Sequence, residues 1–392
     1  MFKKIDLRII GPVVALALLG VVMIYSTAGS ALMSKQAMWL VVSIGVALLF
    51  SRISSRIWAY LSPFIYVAAV FLIFFILLKS NTYPRRWIRF GEFSLQPSEF
   101  AKFATVLMLA NYLAAKKKLQ DFGDMLIPIA LTAVPAFLIF MEPDLGAAQI
   151  FLPILVIMSY WAGMSGVKIF ILFSPIISAA TSFSVYVWGI YIVLLLIFLY
   201  FRRQLPDLVY GLISNSLVGL IMPLVWNSLK IYQQKRIIAF FSPWVDPKGM
   251  SWQVIQSKIA IGSGRLIGKG FLSGTQKKLE FLPERHTDFI FSCLGEEFGL
   301  VGIIIVVAVY VYFLYRLLLL AKETRNRFSS ILVSGVLAWV AYQTFINIGV
   351  TMGLLPVTGV PLPFVSYGGS ALLSCFMAIG VCLSVSRTKM AY

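Results

Sequence analysis

The stretch LPERHTDFIFSCLGEEFGLVGIIIVVAVYVYFLY, residues 282–315, decides how the rest of the chain is read. Its head carries Glu284, Arg285, the only histidine of the protein, His286, and Asp288. From 289 to 315 it turns apolar for long enough that a helix there crosses a hydrocarbon core of ~30 Å. Charge is scarce in this chain, and here it gathers at the mouth of a membrane-length helix.

Working outward, the same pattern recurs. Of 392 residues, 60% are hydrophobic and 12% charged, whereas a soluble domain carries roughly 25% charged residues. Apolar runs fall at about 9–27, 37–51, 57–78, 98–115, 125–141, 145–161, 167–180, 185–201, 207–227, 289–315, 330–352 and 364–386. The expected fold is an all-α polytopic membrane protein of about twelve spans, a single integral membrane domain over 1–392. The seventh and eighth runs are separated only by TSFS (181–184). Residues 1–34 imitate a signal peptide, with Lys3 and Lys4 ahead of an apolar run and STAGSA (26–31), but so many later spans favour an uncleaved first crossing. The cysteines, Cys293, Cys375 and Cys382, fall in expected spans without metal-ligand spacing, so they read as apolar packing and no zinc site is expected.

Basic residues set the orientation. The even-numbered connections carry RISSR (52–56), KKK (116–118), Lys168, Arg202 with Arg203, and KETRNR (322–327), and both ends of the chain add more. Assigning these to the cytoplasm gives a consistent path with both termini inside. Two odd connections then hold cations on the outer side. The loop 79–97 has Lys79, Arg85, Arg86 and Arg89, and the large loop 228–287 has many, Arg236, Lys269 and Arg285 among them. Long loops translocate regardless of charge, which excuses the second but not the first. An anionic ligand on the outer surface accounts for both, with Trp87, Trp244 and Trp252 as interfacial anchors.

Ionisable groups inside spans are expensive and face a bundle interior or a hydrated cavity. In QPSEFAK (96–102), Pro97 suits a first helical turn and Glu99 lies near the positive helix end. Lys102, three residues on, projects from the same face and can pair with it. That pair either just holds the helix end or positions a catalytic group or phosphate. Glu296 and Glu297 either neutralise Lys102 or serve a backbone defect. In MEPDLG (141–146), Asp144 either caps the sixth span or joins a site. Gln343 and Asn347, four apart, face one cavity or bond between helices. IAIGSGRLIGKG (259–270) has glycines that let backbone approach a ligand, but it matches no nucleotide loop. PLPFVSYGGSALLS (361–374), holding Ser366, reads as a proline-broken start to the last span.

RRW (85–87), QPSEFAK (96–102), EPDLG (142–146), YQQKR (232–236), the run 246–264, GKG (268–270), GTQ (274–276), LPERHTDFIF (282–291) and PFVSYGGS (363–370) follow one another along nearly the whole chain. In this order they resemble the SEDS family, the shape, elongation, division and sporulation proteins, and most closely its elongation branch. That family has ten spans, so the resemblance implies a SEDS-type helical bundle to which 167–201 adds an apparent extra hairpin, with 228–287 as the large extracytoplasmic catalytic loop. The added pair leaves the parity of crossings unchanged. Arg265 stands where the family pattern has glycine.

The resemblance implies a peptidoglycan glycosyltransferase of the bacterial cytoplasmic membrane. It would polymerise lipid II on the outer face during cell elongation, beside a class B penicillin-binding protein and other elongation-complex proteins. No nucleic-acid partner is expected. Carried over by motif, Asp288 is the essential carboxylate, with Glu99 and Lys102 as supporting pair. Arg86, Trp87, Asp144, Arg236, Lys269, Arg285, His286 and Ser366 are the substrate-binding candidates. The chemistry suits them, because an attacking sugar hydroxyl must lose a proton and a lipid pyrophosphate must leave. Only one carboxylate base is needed for a single inverting displacement, by analogy with inverting glycosidases. Outer-loop Arg and Lys can offer this charge without a cofactor; a bridging divalent cation, Mg or Mn, also suits the pyrophosphate, although no dedicated cage is visible. The alternatives are a lipid II flippase, which needs accessible charge on both faces, and a non-catalytic scaffold, in which this polar cluster is idle.

Overall fold

The computed structural model describes residues 6–79, 86–90, 93–116, 119, 121–202, 204–228, 234, 252–275 and 284–389. Helix α1 (Leu7–Ala28) is started by Asp6, whose carboxylate accepts from Arg8 N at 3.1 Å, and ends at Gly29. Gly29 has φ +83, a conformation open to glycine, and α2 (Ser30–Phe50) begins immediately after it. Helix α3 (Ser55–Lys79) leads to a short antiparallel hairpin, β1 (Ile88–Phe90) and β2 (Phe93–Leu95), with Ile88 opposite Leu95. Then follow α4 (Pro97–Ala115), α5 (Leu126–Met141), the short α6 (Leu145–Ala148) and α7 (Phe151–Trp161). After α8 (Gly166–Thr181), α9 (Val185–Arg202) and α10 (Leu205–Ser228) comes α11 (Trp252–Ser263), and the chain closes with α12 (Ile290–Glu323), α13 (Arg327–Thr351) and α14 (Gly369–Lys389).

Every expected span coincides with a helix, or for 145–161 with the pair α6 and α7. Among the described residues, nine helices are long and apolar enough to cross a membrane, and Leu145–Trp161 and Gly166–Thr181 are shorter apolar segments. The chain is therefore a multi-pass helical membrane protein. Two features depart from the expectation of plain loops: the β-hairpin in 79–97 and helix α11 in 228–287. The last helix starts at Gly369 rather than 364, because Phe364 adopts φ +68 and 363–368 turn before it.

Helices α13 and α14 form the axis, the most enclosed of the candidate spans. Around them α14 packs on α2 and α4, α13 on α4, α7 and α12, and α1 on α12. Close approach depends on small residues, as it does generally between helices in lipid. A Cβ on Gly20 of α1 would lie 2.6 Å from the Val365 carbonyl oxygen, and one on Gly380 of α14 would lie 2.7 Å from that of Ala47. Helices α8, α9 and α10 pack mainly on each other. Asn215 ties them: its Nδ2 donates to Ser174 Oγ at 2.7 Å, and its Oδ1 accepts from the Tyr191 hydroxyl at 2.8 Å.

Candidate active site

The site lies where α12 begins. The turn 284–289 leaves Glu284 at φ +56, and Asp288 follows one turn later, just ahead of Ile290. The turn is held from three sides. Asn347 of α13 donates through Nδ2 to the Asp288 carbonyl at 2.9 Å and to that of Val360 at 2.8 Å. Ser366 Oγ donates to the Thr287 carbonyl at 2.6 Å and accepts from Leu362 N at 2.8 Å. Tyr367 N donates to the His286 carbonyl at 2.9 Å, and the two rings meet edge-on at 5.7 Å. Arg285 Nε donates to the carbonyl of Thr27 at the end of α1, 2.9 Å away.

The second wall is EPDLG. Asp144 caps α6 through Oδ1, which accepts from Ala147 N at 3.0 Å. Its Oδ2 accepts from Gln96 Nε2 at 3.0 Å and lies 3.8 Å from Arg86 NH1. Of the two alternatives open in the sequence, the cap is observed, and the same carboxylate also meets Gln96 and Arg86. Arg86 also donates from Nε to the Glu142 carbonyl at 2.8 Å and from NH2 to that of Pro143. Gly146 joins the two walls: a Cβ there would sit 2.3 Å from the Thr358 carbonyl oxygen. The adjoining Gly359 (φ +71) is so close to Asp288 that a Cβ on it would lie 3.5 Å from Oδ2.

Electrostatics follow from this placement. Burial first, then the nearby Glu284 and Asp144 carboxylates, push the Asp288 carboxyl up to about 7. A carboxylate there is poised to take and return a proton near neutral pH. Burial, followed by Asp144, likewise pushes Glu142 up to about 8, against a smaller downward pull from Arg86. Both Glu142 carboxyl oxygens are buried without a hydrogen-bond partner. Burial lowers His286 from its ordinary value, which favours the neutral ring.

Glu99 and Lys102 pair at 2.7 Å, three residues apart as the spacing predicts. Lys102 is wholly buried, with its ammonium 5.2 Å from the Trp339 ring centroid. Ser374 Oγ donates to Glu99 Oε2 at 3.3 Å. The pair begins one helical turn beyond Gln96, the residue that donates to Asp144, so it braces the α4 end of the site from inside the bundle. Glu296 does not serve Lys102: it accepts from Lys269 Nζ at 2.7 Å and from Thr275 N at 2.7 Å. Glu297 accepts from Ser26 of α1. Their helix is broken two residues later at Gly299, so the backbone-defect reading fits better.

Of the other candidates, Trp87 is 43% exposed on the hairpin side, and Lys269 points its ammonium into Glu296 rather than toward an open surface. Arg236 lies outside the described residues, as do Arg85 and Trp244. Among the described residues no three His, Cys, Asp or Glu side chains converge to hold a metal, so the described residues form no protein cage for Mg or Mn. Sequence reading passes over Glu142, although it sits beside Asp144 in a quoted motif. It also passes over the 358–360 segment, which carries no charged residue to signal it.

Comparison with known proteins gives a consistent result. The family model described as a cell cycle protein, covering FtsW, RodA and SpoVE, matches residues 6–205 and 187–391. The peptidoglycan glycosyltransferase MrdB of Escherichia coli strain K12 is 33% identical over 384 residues, covering 95% of this chain and 90% of that protein. A probable peptidoglycan glycosyltransferase FtsW of Geobacter metallireducens is 33% identical over 400 residues, covering 98% and 95%. A chain solved in a study of how a peptidoglycan synthase complex coordinates polymerization and crosslinking superposes with TM-score 0.74 at 26% identity, over 99% of both chains.

Proposed function

The chain belongs to the SEDS family, the FtsW, RodA and SpoVE cell cycle proteins, and from that premise we propose that it is a peptidoglycan glycosyltransferase polymerising lipid II with Asp288 as general base. The observation that carries the reading is the Asp288 carboxyl, raised to about 7 on a turn whose carbonyls Asn347 and Ser366 hold. In the reaction, the acceptor hydroxyl gives its proton to Asp288 as its oxygen bonds to the donor's anomeric carbon. The bond from that carbon to the lipid pyrophosphate breaks with its electron pair, and a single displacement inverts the centre. Arg86 and Arg285, each fixed by backbone carbonyls, offer positive charge to the departing pyrophosphate. Neutral His286 and Trp87 line the sugar-facing approach, and Asp144 raises the basicity of Asp288 by its charge.

Basic connections at the end of the bundle remote from Asp288 support cytoplasmic termini and a site on the outer face. The role in elongation rests on the resemblance of the motifs, LPERHTDFIF among them, to the elongation branch of the family. The likeness to a chain of a synthase complex that coordinates polymerization with crosslinking supports a class B penicillin-binding protein as partner. Relative to the ten-span family plan, α8 and α9 are the added hairpin.

The test is glycan polymerisation by purified protein with its partner, supplied with lipid II and with crosslinking blocked. Wild type should make polymer, and folded, partner-bound Asp288→Asn should make none. Lipid II movement across vesicles without polymer would favour the flippase reading. Equal polymer from both proteins would keep the enzyme and remove Asp288 as its base.

A further inference from the structure

The glycine-rich segment 264–275 enters the mechanism nowhere, yet it is built into α12. That helix breaks at Gly299 (φ +64, ψ −163). Lys269 N and Gly270 N each donate at 3.0 Å to the carbonyls of Glu296 and Glu297, while Leu300 N and Val301 N donate at 2.9 and 3.1 Å to those of Arg265 and Leu266. Gly264 N, Arg265 N and Gly268 N find carbonyls within 259–268. The glycines make this possible: a Cβ on Gly264 would lie 2.0 Å from the Gly295 carbonyl oxygen, and one on Gly268 2.2 Å from that of Glu297. Irregular backbone is costly in hydrocarbon because its polar groups go unmatched. Here four bonds between the segment and the helix break match part of both, which lets the segment lie at the boundary of the hydrocarbon rather than deep within it.

The side chains turn the other way. Leu266 is 65% exposed, Ile267 83%, Phe271 41% and Leu272 42%. The backbone bonds set them beside Leu300 and Val301, which with Ile304 and Ile305 form the exposed apolar flank of α12. The Phe271 ring lies 6.5 Å from that of Tyr25 near the end of α1. Two rulers give the depth. Asp6 and Arg316, 3.9 Å apart, mark one level, the start of α1 and the end of the apolar run of α12, two turns before that helix stops at Glu323. Tyr25 and Gly299 stand about 25–28 Å of helix away from that mark at ~1.5 Å per residue, where a core of ~30 Å reaches its far boundary.

We propose that residues 264–272 are a membrane-dipping loop, with Leu266, Ile267, Phe271 and Leu272 immersed among the phospholipid acyl chains of the leaflet on the Asp288 side. Continuity with the lipid-facing flank of α12 names the occupant, and exposed Arg265 reaches the headgroup phosphates above it, as a long cationic side chain does at an interface. The loop then anchors the large loop to the bilayer just below the Asp288 turn. The inference is independent of the reaction the site performs.

Spin labels on Ile267→Cys and Leu272→Cys test it, in protein without partner in vesicles of phosphatidylethanolamine and phosphatidylglycerol. The native cysteines are buried, and unmutated protein serves as the blank. Collisions with oxygen are compared with those of a water-soluble nickel chelate, using Val193→Cys in α9 as lipid control and Glu284→Cys as water control. The ratio of oxygen to nickel collisions at both loop positions should match Val193 and exceed Glu284 several-fold. A ratio equal to that at Glu284 overturns the proposal, and so does exclusion of both agents, which would mean protein covers the loop.

Discussion

At the scale of single residues, Asp288 combines an apolar seat with two like charges and lacks a pairing cation among its influences. The consequence for rate is a kcat/KM that rises with pH and levels off above about 7, because only the ionised carboxylate accepts a proton. Stability moves the opposite way. A carboxyl whose folded pKa exceeds its unfolded one, near ~3.9, keeps its proton more tightly when folded. Its stabilising contribution is full below the unfolded value and is lost as pH rises toward the folded one, about 7 here. Asp288→Asn should therefore melt higher than wild type at pH 8 and equally at pH below ~4, a comparison that thermal scans in one detergent make directly. Asn347 gives a second expectation. Asn347→Ala strands the Asp288 and Val360 carbonyls, at a cost of about 1–3 kcal/mol, and loosens the turn. Polymerisation per folded molecule should fall while the pH profile keeps its midpoint, since neither cause of the shift is removed.

At the scale of the element, α4 shows how a short polar run survives inside a bundle. Pro97 starts the helix where its missing N–H costs nothing, Glu99 lies in the first turn, and Lys102 closes on it. The i, i+3 spacing alone makes that pair legible. That the pair is enclosed, under Trp339 and beside Ser374, depends on α13 and α14. Lys102→Met leaves Glu99 buried and unpaired, which should cost about 3–5 kcal/mol. The double variant Glu99→Gln/Lys102→Met should recover most of that loss of melting temperature without recovering full activity. Recovery of neither, or of both, would remove the bracing role assigned to the pair. Helix α12 makes a similar point in reverse. Its apolar run is readable in the sequence, but its break at Gly299 is not, because only the docked 264–275 segment makes a left-handed residue tolerable there.

For the whole molecule, the basic connections and the Asp288 turn occupy opposite ends of the bundle, which turns orientation into a measurement. In intact cells, Glu284→Cys should react with a membrane-impermeant maleimide and Arg325→Cys should not, until the membrane is opened. The reverse pattern would sink the outer-face site and the polymerase reading with it. The module of α8, α9 and α10 joins the rest chiefly through α7 and the stacking of Phe122 on Tyr210, ring centroids 4.4 Å apart. Its position is peripheral to the helices around Asp288.

Local physics makes much of this visible in one dimension. Apolar runs of membrane length require helices, because a bilayer leaves backbone groups no other partner, and all twelve expected spans coincide with helical segments. The motif order likewise identifies the family, and the spacing of Glu99 and Lys102 their pairing. Tertiary structure alone decided the rest. Contacts between residues far apart in sequence bring Asp144 and Asp288 near each other, turn Asn347 toward the Asp288 backbone, leave the Glu142 carboxyl buried without a hydrogen-bond partner and press 264–272 into the break of α12. Such contacts carry no periodicity along the chain. They arise only when separate helices enclose the same small volume, where burial and neighbouring charge set what each carboxylate can do.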